Sequence, residues 1–212
     1  MEVPFKICID KTQVNEMPQE VFKGQIHVID SMMGLRAAIA ALRRAPLVGF
    51  DTETRPSFRK GVVHKPALVQ LSTLDDCFLF RVNKIGMPDA LKQYLADESC
   101  PKVGLSIHDD FNVIHRMADV EPGGFVELQQ LVVQYHIVDI GLQKIYAILF
   151  HKKISKGQRL TNWETPSLTP AQQSYAAIDA WACVKIYNYL MSGQFVPEAS
   201  PFVTPIEDEE KN

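Results

Sequence analysis

A short apolar run, residues 46–50, leads without a break into two acids, Asp51 and Glu53. Such a run predicts a buried strand. Because side chains alternate along a strand, both carboxylates are expected on one side, with Thr52 on the other. An Asp-x-Glu pair most often faces solvent, but two carboxylates on one side of a buried strand cost stability unless a cation binds between them.

In the rest of the chain, segments with the hydrophobic pattern of strands alternate with segments that have the pattern of helices. Asp75 and Asp76 suit the turn of a hairpin, while Thr169, Pro170 and Gln172 give the last helix a capping box. The predicted strands are residues 25–29, 47–50, 67–73, 77–82 and 102–107, and the predicted helices include residues 31–44, 89–96, 127–135, 141–150 and 169–191. This order predicts one α/β domain, a mixed sheet with helices on both faces.

The totals are those of a globular protein: 212 residues, 46% apolar and 22% charged. We expect an irregular N-terminal arm at residues 1–24, one domain at 25–192, and a tail at 193–212 with an acidic run at 207–210. The net charge of −3 argues against bulk coating of nucleic acid, but not against a single basic cleft. The cysteines lack CxxC spacing, and we see neither a signal peptide nor a membrane-length apolar run, so we expect a cytoplasmic protein.

Two further acids lie in segments whose neighbouring residues do not suggest an exposed surface. Asp110 follows a buried apolar stretch, and Asp179 lies four residues after Tyr175 on the same face of a helix. Each has a simpler explanation, since Asp110 suits a helix cap and Tyr175 suits a local hydrogen bond to Asp179. Together with the acidic pair of the buried strand, they predict converging carboxylates that need divalent cations. Ligands that are all oxygen favour Mg²⁺ or Mn²⁺, and two such ions are typical of phosphodiester cleavage.

Two segments, residues 55–65 and 151–159, contain several basic residues and no acid. Each pattern is equally typical of an exposed loop and of a surface that binds backbone phosphates. Two aromatic residues, Phe58 and Trp163, are candidates to stack on terminal bases, with core packing as the alternative. The candidates for nucleic-acid contact are Arg55, Lys156, Arg159 and Trp163.

The sequence resembles the DEDD 3′–5′ exonucleases, in particular the branch of ribonuclease D and the Werner exonuclease, over about residues 25–192. Three segments carry the resemblance: Val48-Gly-Phe-Asp-Thr-Glu-Thr54, Lys102-Val-Gly-Leu-Ser-Ile-His-Asp-Asp-Phe111 and Tyr175-Ala-Ala-Ile-Asp179. The tyrosine is typical of the tyrosine subclass, because the histidine subclass would have histidine where this chain has Ser174. Glu127 stands where many relatives have aspartate.

The resemblance implies a ribonuclease H-like α/β fold with a five-stranded mixed sheet flanked by helices. It implies that Tyr175 orients the attacking water and that two divalent cations, Mg²⁺ or Mn²⁺, are held by Asp51, Glu53, Asp110 and Asp179. Asp109 is the alternative to Asp110. The implied activity is metal-dependent release of nucleoside 5′-monophosphates from the 3′ end of DNA or RNA.

Two other functions are compatible with the same pattern. One is a nucleic-acid-binding or scaffold protein that keeps the fold without turnover, and the complete set of acids disfavours it. The other is a phosphatase or small-nucleotide hydrolase, which the basic segments disfavour. A choice between DNA and RNA would depend on contacts to the 2′-hydroxyl, and no segment of the sequence indicates such contacts.

Overall fold

The computed structural model describes residues 4–59 and 61–206, and its strands form two sheets. The strands are β1 (Phe5–Ile7), β2 (Gln25–Ile29), β3 (Val48–Thr54), β4 (Pro66–Ser72), β5 (Asp76–Phe80), β6 (Lys102–Gly104), β7 (Phe125–Glu127) and β8 (Val203–Pro205). Six of them build a central mixed sheet in the order β2-β5-β4-β3-β6-β7, while β1 and β8 form a separate antiparallel pair.

Helices cover both faces of the central sheet, which confirms the predicted α/β architecture. They are α1 (Lys11–Glu16), α2 (Met32–Leu42), α3 (Val82–Ile85), α4 (Asp89–Ala96), α5 (Ile107–Ile114), α6 (Leu128–Val133), α7 (Leu142–Phe150) and α8 (Pro170–Met191), with a 3₁₀ turn at Pro197–Ala199. One hydrophobic cluster lies beneath α7 and α8, and a second lies beneath α2, α4 and α5. Within the described residues, no helix has the length and apolar character needed to cross a bilayer.

Strand β3 lies inside the sheet, antiparallel to β4 and parallel to β6. Its residues 48–50 are buried, as the apolar run predicted. The strand continues to Thr54, so Asp51 and Glu53 lie within it and not beyond its end. Because Asp51 pairs with Gln70 and Glu53 with Leu68, the ladder to β4 fixes the backbone of both acids.

The predicted hairpin and the predicted start of the last helix are both confirmed. Strands β4 and β5 are antiparallel, with Val69 opposite Phe80. At the start of α8, the Gln172 amide donates to Thr169 Oγ1 at 3.2 Å, and the Thr169 amide donates to Gln172 Oε1 at 3.0 Å. These two bonds satisfy amides that a helix N-terminus otherwise leaves free.

The close contact between α8 and β3 depends on Gly49. A Cβ atom at this position would lie 1.8 Å from the carbonyl oxygen of Ala180. Only glycine lets the backbones of strand and helix approach so closely. Asp51 follows Gly49 by two residues and Asp179 precedes Ala180, so this contact brings the two acids together.

The structure differs from the sequence-based expectation in its number of strands and in its N-terminal arm. The central sheet has six strands and not five, because residues 125–127 pair with β6 in a strand too short for periodicity to reveal. The arm predicted as irregular contains β1 and α1, and its residues Ile7 and Val14 are buried. The strand partner of this arm, β8, is remote in sequence, so local patterns could not show the pairing.

The segment after α8 was expected to be an acidic tail. Its described part, residues 193–206, contains the 3₁₀ turn and β8. The acidic run at residues 207–210 lies outside the described residues. Lys60, in the first basic segment, also lies outside them.

Candidate active site

Three carboxylates meet where β3 and α8 are in contact. Asp51 and Glu53 share one face of β3, and Asp179 comes from the turn of α8 that packs against Gly49. Carboxylate oxygens of the three acids lie within 4.8 Å of one another. Asp179 is only 8% exposed, and the other two are half-buried. The fold therefore concentrates three acidic groups where little water can screen them.

The fourth acid, Asp110, approaches from the other face of β3. It lies in α5, and its Oδ1 accepts a hydrogen bond of 2.5 Å from Thr52 Oγ1. It does not belong to the group of three mutually close carboxylates. Asp109, the alternative left open by the sequence, points to solvent with 85% of its side chain exposed. The structure thus places Asp110, and not Asp109, beside the cluster.

Glu127 holds the helix that carries Asp110. Its Oε2 accepts a hydrogen bond from the Ile107 amide at 2.8 Å, and its Oε1 accepts one from the Ser106 amide at 3.1 Å. These amides are at the N-terminus of α5, where a negative charge is favourable. Ser106 has a left-handed φ of 62°, uncommon for a residue other than glycine. We infer that Glu127 fixes this turn and thereby the position of Asp110.

Burial is the main reason why the clustered carboxyl groups resist ionisation. It raises the pKa of Asp51 to about 7. Burial and the charges of the other three acids raise the pKa of Glu53 to about 10. Burial, followed by the charge of Asp51, also raises the pKa of Asp110 and of Asp179. Acids that retain protons near neutral pH are expected where carboxylates converge without a cation.

Tyr175 lies one helical turn before Asp179 and lines the same cleft. Burial, followed by the charge of Asp179, raises the pKa of its hydroxyl, so the group stays protonated and can donate a hydrogen bond. The ring of Trp163 packs against it, with 6.0 Å between centroids, and is 0% exposed. The prediction that Trp163 contacts nucleic acid is therefore wrong. Its core-packing alternative is the one observed.

The acids open onto a cleft of about 390 Å³. Asp51 and Asp179 line it together with the apolar side chains of Leu105, Leu142 and Ile154. Two predicted basic contacts are also part of its lining: Lys156 and Arg159. The cleft thus combines negative, positive and apolar groups in one cavity.

Arg55, the third basic candidate, lies beside this cleft without lining it. Its Nη1 is 3.4 Å from Glu164 Oε2, and about half of its side chain is exposed. This pair links the loop after β3 to the segment that precedes α8. Exposed ion pairs of this kind contribute little to the stability of the fold. The main effect of this contact is therefore on the position of the loop.

The fully buried residue Arg81 holds the segment before α8, residues 162–166, by hydrogen bonds to its backbone. Its guanidinium donates to the carbonyl oxygens of Pro166, at 3.1 Å, and of Thr165. The Gln172 side chain adds a bond of 3.1 Å to the Asn162 carbonyl. A buried cation is tolerated only when it is well hydrogen-bonded. These bonds therefore fix the backbone immediately after Arg159.

Gln70 lies next to the candidate site, and the sequence-based reasoning did not single it out. It lies directly opposite Asp51 in the β3–β4 ladder, so their side chains share a face. It is fully buried, and neither its amide nitrogen nor its oxygen has a hydrogen-bond partner among the residues that the structure describes. An orphaned buried amide costs free energy. A glutamine in the middle of the apolar strand 66–72 was the available signal.

Gln70→Met is expected to raise the stability of the metal-free protein by about 1 kcal/mol, because it removes an orphaned amide. It is also expected to weaken Mn²⁺ binding by about tenfold, because the amide next to Asp51 can orient an ionised carboxylate. Thermal unfolding in EDTA and calorimetric Mn²⁺ titration measure the two effects. Gln93→Met, on the exposed face of α4, is the matched control. Unchanged Mn²⁺ affinity would contradict this role.

The donor set fits a hard divalent cation. All ligand atoms of the three-acid group are carboxylate oxygens, the donors that Mg²⁺ and Mn²⁺ prefer. Their mutual repulsion and burial would be relieved by positive charge placed between them. Asp51, Glu53 and Asp179 are the residues able to hold such an ion, with Asp110 available beside them.

The chain is similar to known proteins over most of its length. A profile of the family described as 3′–5′ exonuclease matches residues 26–193. The chain is 29% identical over 197 residues to the bifunctional 3′–5′ exonuclease/ATP-dependent helicase WRN of Mus musculus, covering 87% of this chain and 14% of that protein. It is 34% identical over 149 residues to a 3′–5′ exonuclease of Arabidopsis thaliana, covering 68% of this chain and 52% of that protein. The chain therefore spans about half or less of these relatives.

Among solved structures, the fold is similar to that of the Nibbler EXO domain of Aedes aegypti. The TM-score is 0.73 at 22% sequence identity, and the match covers 84% of this chain and 96% of that one. At this level of identity the likeness shows a common fold.

Proposed function

The chain belongs to the 3′–5′ exonuclease family, and on that premise we propose that it hydrolyses phosphodiester bonds from the 3′ end of DNA or RNA and releases nucleoside 5′-monophosphates. The observation that supports this most is the convergence of Asp51, Glu53 and Asp179 within 4.8 Å at a cleft. Acids so placed suit the binding of cations and, through them, of a phosphate.

We assign the four acids to two divalent cations, Mg²⁺ or Mn²⁺. When bound, such ions supply an activated water and stabilise charge on the leaving oxygen. Asp51 is the candidate for a ligand shared by both ions, since its charge contributes to the raised pKa of each of the other three acids, after burial. Asp110 reaches the site from the opposite face of β3, as suits a ligand of the second ion.

The other residues of the cleft bind and orient the substrate. The protonated hydroxyl of Tyr175 donates a hydrogen bond to the attacking water and directs it at the phosphorus. Lys156 and Arg159 line the cleft, and we assign them to the non-bridging phosphate oxygens. The apolar side chains of Leu105, Leu142 and Ile154 offer a surface for the terminal base and sugar. Holding the scissile phosphate in a fixed orientation lowers the barrier further.

Incubation with a 5′-labelled single strand, in the presence of Mg²⁺ or Mn²⁺, tests the proposal directly. We expect a ladder that shortens from the 3′ end, with nucleoside 5′-monophosphate as the product. DNA and RNA strands run in parallel establish which sugar is accepted. Retarded mobility without cleavage would instead support a nucleic-acid-binding protein without turnover. Cleavage of free nucleotides alone would support a small-nucleotide hydrolase.

Tyr175→Phe is expected to lower kcat by about tenfold to hundredfold, because it removes the hydroxyl that orients the water. Mn²⁺ affinity should stay the same, since this phenol is not assigned as a ligand. Single-turnover cleavage and calorimetric titration distinguish the two effects. Tyr187→Phe, farther along α8, is the control. A rate equal to that of the unmodified protein would remove Tyr175 from the mechanism.

A further inference from the structure

The loop that joins β3 to β4 spans residues 55–65, and its described residues present apolar side chains to solvent. Phe58 is 82% exposed, Val63 55% and Val62 44%. Single exposed apolar residues are ordinary on a protein surface. Here three of them lie within six residues of one loop, so they are not scattered singly over the surface. Phe58 makes no aromatic contact among the residues that the structure describes.

The same loop is basic. Arg55, Arg59 and Lys65 are exposed and belong to it, and the sequence contains no acid from residue 55 to residue 74. Aromatic rings among cations, without acids, are typical of surfaces that bind single-stranded nucleic acid. The cations hold the phosphates, and the rings stack on bases of any sequence.

The loop is also continuous with the candidate active site. It begins two residues after Glu53, at the end of β3. The ion pair between Arg55 and Glu164 connects it to the segment that carries Lys156 and Arg159. A strand whose 3′ end lies at the carboxylates must leave the cleft, and this loop lies next to the site through the pair of Arg55 and Glu164.

We propose that the β3–β4 loop binds unpaired nucleotides of the substrate strand, upstream of the scissile phosphate. Phe58 stacks on a base, and Arg59 and Lys65 bind backbone phosphates. The inference rests on the proposed function, which supplies the strand. Charge favours this occupant over a second copy of the chain, because two such loops would bring like charges together.

Binding of a fluorescent single strand of about 12 nucleotides tests the proposal. The Asp179→Asn background, in which cleavage is expected to be absent, allows anisotropy to be measured with DNA and with RNA. Phe58→Ala should raise the Kd by about fivefold to hundredfold, whereas Phe58→Trp should preserve the affinity. Arg59→Gln should reduce the slope of log K against log salt concentration by about 0.7.

Met33→Ala is the matched control, because Met33 is 93% exposed at the start of α2, outside this loop. It should leave oligonucleotide affinity unchanged. Equal affinity of Phe58→Ala and the parent protein would overturn the proposal. So would a change in self-association, seen by sedimentation, without a change in oligonucleotide affinity. A Phe58-dependent affinity in a protein that yields no ladder would overturn the exonuclease proposal and leave the binding surface intact.

Discussion

Asp51→Asn is expected to reduce cleavage by about a thousandfold or more and, at pH 8, to raise the stability of the metal-free protein. The two effects have one cause. The Asp51 carboxylate is the ligand assigned to both cations, and without cations it is a buried charge among other acids. Asparagine has nearly the same size but no charge, so it removes the ligand and the repulsion together. Cleavage assays and thermal unfolding in EDTA measure the two effects.

Asp179→Asn should change activity and stability in the same directions, because Asp179 is buried in the same cluster. Asp109→Asn is the control, since the Asp109 side chain is 85% exposed and lies next to Asp110 in sequence. It should change neither quantity. Normal turnover by the Asp51 variant would refute the assignment of Asp51. Lost activity with lowered stability would indicate a structural role instead.

The second large effect expected is a fall in metal-free stability as pH rises from about 4 to about 7, continuing towards pH 10. In the unfolded chain these carboxyl groups lose their protons near pH 4. In the folded protein, burial keeps the proton on Asp51 to about pH 7 and, with the neighbouring charges, on Glu53 to about pH 10. The folded state therefore binds more protons within this range, and stability falls as pH increases.

Glu20 changes the pH dependence of stability in the opposite direction and in a lower pH range. Burial works against its ionisation, but hydrogen bonds from Tyr146 and Lys152 outweigh it and lower the pKa to about 2. Its contribution to stability is present above about pH 4.5 and is lost as pH falls towards 2. It therefore does not mask the slope expected above pH 4.

Melting temperatures in EDTA across pH 4 to 10 measure this dependence, and Mn²⁺ should reverse it. Because the ions need ionised carboxylates, binding at pH 6 should release protons, which titrations in buffers of different ionisation enthalpy would count. Glu53→Gln should flatten the slope in EDTA. A stability that is independent of pH between 4 and 10 would show that the acids are not clustered as described.

The arrangement of Asp51, Glu53 and Asp179 could be anticipated because each acid lies in a short segment whose neighbours determine its element. The apolar run before Asp51 predicts a strand, and the capping box predicts the helix of Asp179. Alternation along the strand then puts Asp51 and Glu53 on one face. These are local rules, and the geometry agrees with them.

Other features could not be anticipated because they depend on contacts remote in sequence. Trp163 lies in a polar segment, and only the packing of α8 shows that its ring is buried against Tyr175. The bond from Thr52 to Asp110 joins two elements whose relative position no local pattern reports. Gln70 stood out in the sequence as a polar residue in an apolar strand. Its proximity to Asp51 became evident only from the register between β3 and β4.

Gly49 has a further consequence for how the carboxylate cluster can be lost. The spacing between the acid on the strand and the acid on the helix is set by a residue that has no side chain and forms no ligand. A single methyl group there would force the two elements apart, so the acids would no longer converge although every one of them remained in the sequence. Intact motifs are thus no guarantee of activity in a relative that carries a larger residue at this position.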